Sequence, residues 1–167
     1  MTQSILARAP RSAVYAATLG GLSILIATTI HHVYGAWLFD TPWRLHIVFI
    51  SIPVALGMVV AVLVAVQGGG SLAGHVASWA FILLNAGFAI ALIGLYEGGY
   101  NHLLPNIQYV LGVDHPLREG LYDPPDDLVF QLSGIAQFVV AAIAAWQLWR
   151  VIWPRREGGA LSSRGWA

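Results

Sequence analysis

The chain has 167 residues, 57% of them hydrophobic and only 10% charged, with eight basic and eight acidic residues. Soluble domains carry roughly 25% charged residues, so these charges are too few to cover a water-facing surface, and an integral membrane protein is expected. Cysteine is absent, which excludes disulfides and thiolate metal sites, and the basic residues, all arginine, form no stripe suited to a nucleic acid.

Four segments can each cross a bilayer, which takes about 20 apolar residues. They run approximately over 12–39, 44–66, 72–96 and 127–153. In lipid a spanning backbone must satisfy its own hydrogen bonds, so all four are read as helices. The run from Ala13 to Ile30 exceeds the ~7–15 residues of a signal-peptide core, and three more apolar segments follow, so it is read as a retained helix. Asp40-Thr41-Pro42 stops the first helix and starts the second. Gln67 to Ser71 is a glycine-rich turn into the third. Asp123 to Asp127 supplies prolines and a carboxylate cap before the fourth.

Between the third and fourth spans, Leu103, Leu104, Ile107 and Leu111 recur at helical spacing, with Gly112 as a possible C-cap. This predicts a short amphipathic helix lying across one end as a lid. The expected fold is therefore an all-α integral membrane four-helix bundle of two hairpins, a single transmembrane domain over 1–167, with that short helix in its outer loop. Small residues should set the helix contacts: Gly87, Ala91, Gly94 and Gly98 on the third span, and Gly134, Gln137, Ala141 and Ala145 on the fourth. Asn85, Gln131 and Gln137 are expected to hydrogen-bond between helices, and Pro53 to kink the second.

Charge fixes the expected orientation. Arg8 and Arg11 precede the first span, and Arg150, Arg155, Arg156 and Arg164 sit at or beyond the end of the fourth. The positive-inside rule makes that side, with both termini, cytoplasmic, and the membrane an inner cell membrane. The other side holds Arg44 and Arg118 against Asp40, Glu97, Asp114, Glu119, Asp123, Asp126 and Asp127. Asp40 and Arg44 read as a turn ion pair, and Asp114-His115 as loop surface.

The stretch His31 to His46, HHVYGAWLFDTPWRLH, concentrates polar groups at the first hairpin tip. His31, His32, His46, Glu97 and His102 can all lie in one layer near the outer boundary, where ionisable groups tend to face the bundle interior and find partners. Imidazole and carboxylate suit a divalent transition metal: zinc, copper or iron. His31 and His32 are adjacent and point about 100° apart on a helix, so at most one of them is expected to face a given site. Glu97 and Asn101 share a helix face, whereas His102 joins only if the helix unwinds after Gly98-Gly99. Tyr34 and Tyr100 are expected to donate to the ligands, and loss of His46 or Glu97 is expected to release the metal. Neither HExxH nor CxxC is present.

Three function classes follow. The first is an outward-facing metal site, with redox, hydrolytic or metal-handling roles all open. The second is a b-type haem subunit with His31 and His46 as axial ligands. The third is a non-catalytic subunit whose histidines and acids form a docking surface. The bilayer is the expected surrounding, with further copies or partner membrane subunits, and no nucleic acid.

Overall fold

The computed structural model describes residues 2–113 and 127–154. Expectations resting on Asp114, His115, Arg118, Glu119, Asp123, Asp126, Arg155, Arg156 and Arg164 lie outside the described residues. Among the described residues all regular structure is helical: α1 (Ile5–Arg8), α2 (Arg11–Leu38), α3 (His46–Gly68), α4 (Leu72–Leu111) and α5 (Leu128–Ile152). A single 3₁₀ turn, Pro42–Leu45, leads into α3.

Four of these helices are long and apolar enough to cross a bilayer, and only 22–44% of their most apolar stretches is buried. Most of the apolar side chains therefore point outward, Leu19, Phe49, Leu56, Leu83 and Ile143 among them. Water does not tolerate such a surface, and lipid requires it. Trp37, Trp43, Tyr96 and Tyr100 are exposed at one end, and Trp146, Trp149 and Trp153 at the other, as ring belts at two interfaces would be. Inside, α2 packs chiefly on α5, α5 on α4, and α3 on the first part of α4 and on α2, which closes a four-helix ring. Ile24, Met58, Phe81, Ala89, Ala141 and Ala144 are fully buried between them.

The helix ends follow the expected chemistry. Ser71 Oγ caps α4 by accepting from Gly74 N–H at 3.1 Å, and an Asp127 carboxylate oxygen caps α5 by accepting from Phe130 N–H at 2.8 Å. Gly69 takes a positive φ of 53° between α3 and α4, a backbone open to glycine at little cost. The unforeseen element is α1. Ser4 N–H donates to Gly69 O at 3.1 Å and Leu6 is buried, so α1 tucks under the α3–α4 turn.

α4 departs from the expectation in two ways. The short amphipathic helix is present, Leu104–Leu111, and Gly112 ends it in the left-handed conformation (φ 65°). It does not lie across the bundle as a separate lid, because it continues the third span without a break in helical backbone. Leu104, Ile107 and Leu111 face outward, while Pro105 is buried.

Before that segment, Leu83–Leu103 is wound as a wide π-helix with i→i+5 hydrogen bonds. The change back falls at Pro105, which has no N–H to donate. The buried face of the wide segment runs through Asn85, Ala89, Gly94, Gly98 and His102. That is roughly four and a quarter residues per turn, against 3.6 in an α-helix. The α-helical spacing expected for Gly87, Ala91, Gly94 and Gly98 therefore selects the wrong pair at its start: Gly87 and Ala91 face outward. Gly94 and Gly98 do face α5. A Cβ on Gly94 would overlap Ala141, and one on Gly98 would lie 2.6 Å from Phe138 N.

This register gives a direct comparison. Gly87, with nothing near its missing Cβ, should accept leucine with a stability change within about 0.5 kcal/mol. Gly94→Leu should cost about 1–3 kcal/mol or more by overpacking. Thermal melts of the two variants in detergent check this, and equal melting temperatures would contradict the π register.

Candidate metal centre

Four polar residues meet at the end of the bundle that carries the α2–α3 turn. His31 and His32 project from α2, seven and six residues before its end at Leu38, about 10 Å down the helix. Glu97 and His102 come from α4. The wide winding is what brings this last pair together. In an α-helix, residues five apart point about 140° apart, whereas the wider winding reduces this to about 60° and brings both side chains to one side of the helix. His102 thus joins because the helix widens, and no unwinding after Gly98-Gly99 is needed. Asn101, four residues on, donates from Nδ2 to Glu97 Oε2 at 2.7 Å and holds the carboxylate.

The other carboxylate oxygen is the focus. Glu97 Oε1 lies 3.6 Å from His102 Nε2, 3.9 Å from His31 Nε2 and 4.0 Å from His32 Nε2. Ligand atoms of His31, Glu97 and His102 all fall within 4.8 Å of one another, a group of the size that can hold a metal ion. His31 is fully buried, His102 is 2% and His32 8% exposed.

The hydrogen bonds at the far side of each ring fix the protons. His32 Nδ1 lies 3.0 Å from Thr28 O, a carbonyl that only accepts, so His32 carries its proton there. His102 Nδ1 lies 3.2 Å from Gln131 Oε1, which also accepts from Asn106 Nδ2 at 2.9 Å. His31 Nδ1 lies 2.9 Å from Ser133 Oγ, whose own proton goes to Phe130 O at 2.9 Å. A Ser133 hydroxyl that donates to Phe130 O accepts from His31 Nδ1. In this arrangement each imidazole carries a proton on Nδ1 and turns its Nε2 toward the same oxygen.

Packing holds the rings in place. Phe130 stacks on His31 with ring centres 4.3 Å apart, and His102 meets His31 edge-on at 4.6 Å. Gly134 leaves the space for His102, because a Cβ there would overlap the imidazole. Arg44 is buried beside this group, its guanidinium over the rings of Phe39, Trp43 and Phe130. It thus turns inward onto the aromatic rings, while Asp40 is exposed with a positive φ of 50°, and the turn ion pair expected between them is not formed among the described residues.

His46 stands apart from the other expected ligands. It is exposed, its Nδ1–H donates to Trp43 O at 2.7 Å, and its ring centre is 6.4 Å from that of His32. Tyr34 hydroxyl donates to Asp127 at 3.0 Å rather than to a ligand, and Tyr100 stacks on Tyr96. The ring-holding residues Thr28, Ser133 and Phe130 carry no sequence signal of their own. Gln131 and Gly134 stand out in the sequence only as packing residues.

The proton assignment is directly measurable. In metal-free protein labelled with ¹⁵N-histidine, NMR should find a proton on Nδ1 of all three buried imidazoles. A protonated Nε2 with bare Nδ1 at His102 would contradict the hydrogen-bond assignment.

No protein-family model, no curated protein and no solved structure matches this chain significantly.

Proposed function

We propose that this chain is a multi-pass membrane protein that binds a divalent transition metal through His31, His102 and Glu97, with His32 as a fourth ligand. The observation that carries the reading is the convergence of three Nε2 atoms, with Nδ1 already committed, on one carboxylate oxygen within 4.0 Å. Each of those nitrogens faces Glu97 with either a lone pair or a second proton. Three lone pairs around a carboxylate repel, and three added protons leave two net positive charges within an apolar bundle, which is costly. A single added proton neutralises the carboxylate but satisfies one nitrogen, and the other two still face the oxygen with lone pairs. One divalent cation satisfies all four atoms. His31 Nε2 is buried with no hydrogen-bond partner, an arrangement that costs about 1–3 kcal/mol unless something binds there.

The dimensions agree. Metal–nitrogen and metal–oxygen bonds of about 2.0–2.2 Å put tetrahedral ligand atoms roughly 3.4 Å apart. The Oε1–Nε2 distances of 3.6–4.0 Å lie a few tenths of an ångström above that value, and the ligand atoms of His31, Glu97 and His102, within 4.8 Å of one another, close the rest by side-chain rotation. Three imidazoles and a carboxylate suit zinc, copper or iron. The Nδ1 acceptors Ser133, Thr28 and Gln131 are the outer partners that metal-bound histidines keep. A flat macrocycle is a poorer fit, since His31 is stacked against Phe130 and meets His102 edge-on, with both rings already filling the space beside it.

The site lies at the end opposite Arg8, Arg11 and Arg150. By the positive-inside rule that end faces outward from an inner cell membrane.

Elemental analysis of the purified protein should find one metal ion per chain. Glu97→Gln and His102→Ala should each remove it while the far-ultraviolet circular dichroism stays helical. Gln131→Leu should keep the site and weaken its affinity by about 10–100-fold. Full occupancy in both ligand variants would refute the reading.

A further inference from the structure

His46 sits at the mouth of the group and takes no part in the cluster around Glu97. Its Nδ1–H donates to Trp43 O at 2.7 Å, so its Nε2 carries a lone pair, like those of His31, His32 and His102. The four imidazoles form a graded series: His46 is exposed, His32 is 8% exposed, His102 is 2%, and His31 is fully buried. His32 is the link. Its Nε2 lies 4.0 Å from Glu97 Oε1 on the inner side, and its ring centre lies 6.4 Å from that of His46 on the outer side. Two imidazoles sharing a metal place their ring centres roughly 5–6 Å apart, given metal–nitrogen bonds of about 2.1 Å. His46 and His32 are within a side-chain adjustment of that spacing.

Resting on the metal reading above, we propose that His46 and His32 form a transient loading site, through which a divalent metal passes from the membrane boundary to the buried cluster. The three inner imidazoles offer little surface to a hydrated ion, since His31 and His102 are almost fully buried and only the Glu97 carboxylate, 21% exposed, is reached from outside. A divalent cation sheds water at a cost, and an exposed imidazole beside that opening lowers it before the ion reaches the buried nitrogens. An exposed imidazole replaces the first water while the ion is still hydrated. His32 then takes the ion and passes it to Glu97, and each exchange breaks one metal–ligand bond as another forms. Trp43 keeps the His46 ring in position, stacked nearly parallel with centres 6.1 Å apart. The metal ends among His31, His32, His102 and Glu97, and His46 is free to meet the next ion.

This role changes what His46 substitutions should do. If His46 were a resident ligand, its loss would lower occupancy at equilibrium. A loading residue alters the rate alone. The test uses the full-length protein in detergent, stripped with a chelator and mixed with cobalt(II), whose absorption reports imidazole coordination. His46→Gln should slow loading by roughly tenfold or more and leave the final stoichiometry and spectrum unchanged. Glu97→Gln should abolish the final spectrum. An unchanged loading rate in His46→Gln overturns the proposal, and so does a lost final spectrum, which would make His46 a resident ligand. If the wild-type protein takes up no cobalt or zinc, the metal reading fails and the loading site fails with it. A melting temperature equal to wild type confirms that His46→Gln is folded, and His46→Ala provides the same rate comparison should glutamine bind the ion.

Discussion

One carboxylate oxygen, Glu97 Oε1, sets the arrangement at this end of the bundle. Three imidazole nitrogens from two helices approach within 4.0 Å of it. An ionisable cluster this deep in an apolar bundle is expensive to bury, so every group around it must be positioned and satisfied. That constraint accounts for features that otherwise look unrelated. Asn101 holds the second oxygen of Glu97. Ser133, Thr28 and Gln131 take the three Nδ1 protons. Gly134 withdraws its side chain so that His102 can reach inward.

The helices divide the work. α2 and α4 carry the nitrogens and the carboxylate. α5 contributes no group to the focus, yet through Ser133 and Gln131 it fixes two of the three imidazoles, and through Phe130 it packs the same two. α3 contributes His46 at the rim. The wide winding of α4 connects fold to site, since the turn that brings Gly94 and Gly98 against α5 also carries His102 to the same side as Glu97. Packing and ligand placement therefore share one cause, and a change of register in α4 would disturb both.

The spans were legible in the sequence because they follow from hydropathy and from strong punctuation: the Asp40-Thr41-Pro42 stop, the glycine turn at 68–70, and the Asp127 cap. Depth along those spans placed His31, His32, Glu97 and His102 in one layer, but it placed His46 there too, and adjacency on an α-helix left only one of His31 and His32 to face a common point. The winding of α4 was not legible, because small residues at 87, 91, 94 and 98 fit an α-helical period, and i→i+5 bonding leaves no mark in composition. His46 was misplaced for a related reason. Distance from the helix end gave its depth, but its facing is set by the 3₁₀ turn at Pro42–Leu45, which turns Arg44 inward and His46 outward. The residues that hold the rings, Ser133 and Thr28 above all, are ordinary hydroxyl positions until the fold brings an imidazole to them.

X-ray absorption fine structure at the metal edge of the loaded wild-type protein tests the central claim most directly. The account predicts a first shell of nitrogen and oxygen at about 2.0–2.2 Å, with multiple-scattering features from at least two and up to three imidazoles and one carboxylate oxygen. A shell built from oxygen alone, or one with a single imidazole, would contradict it.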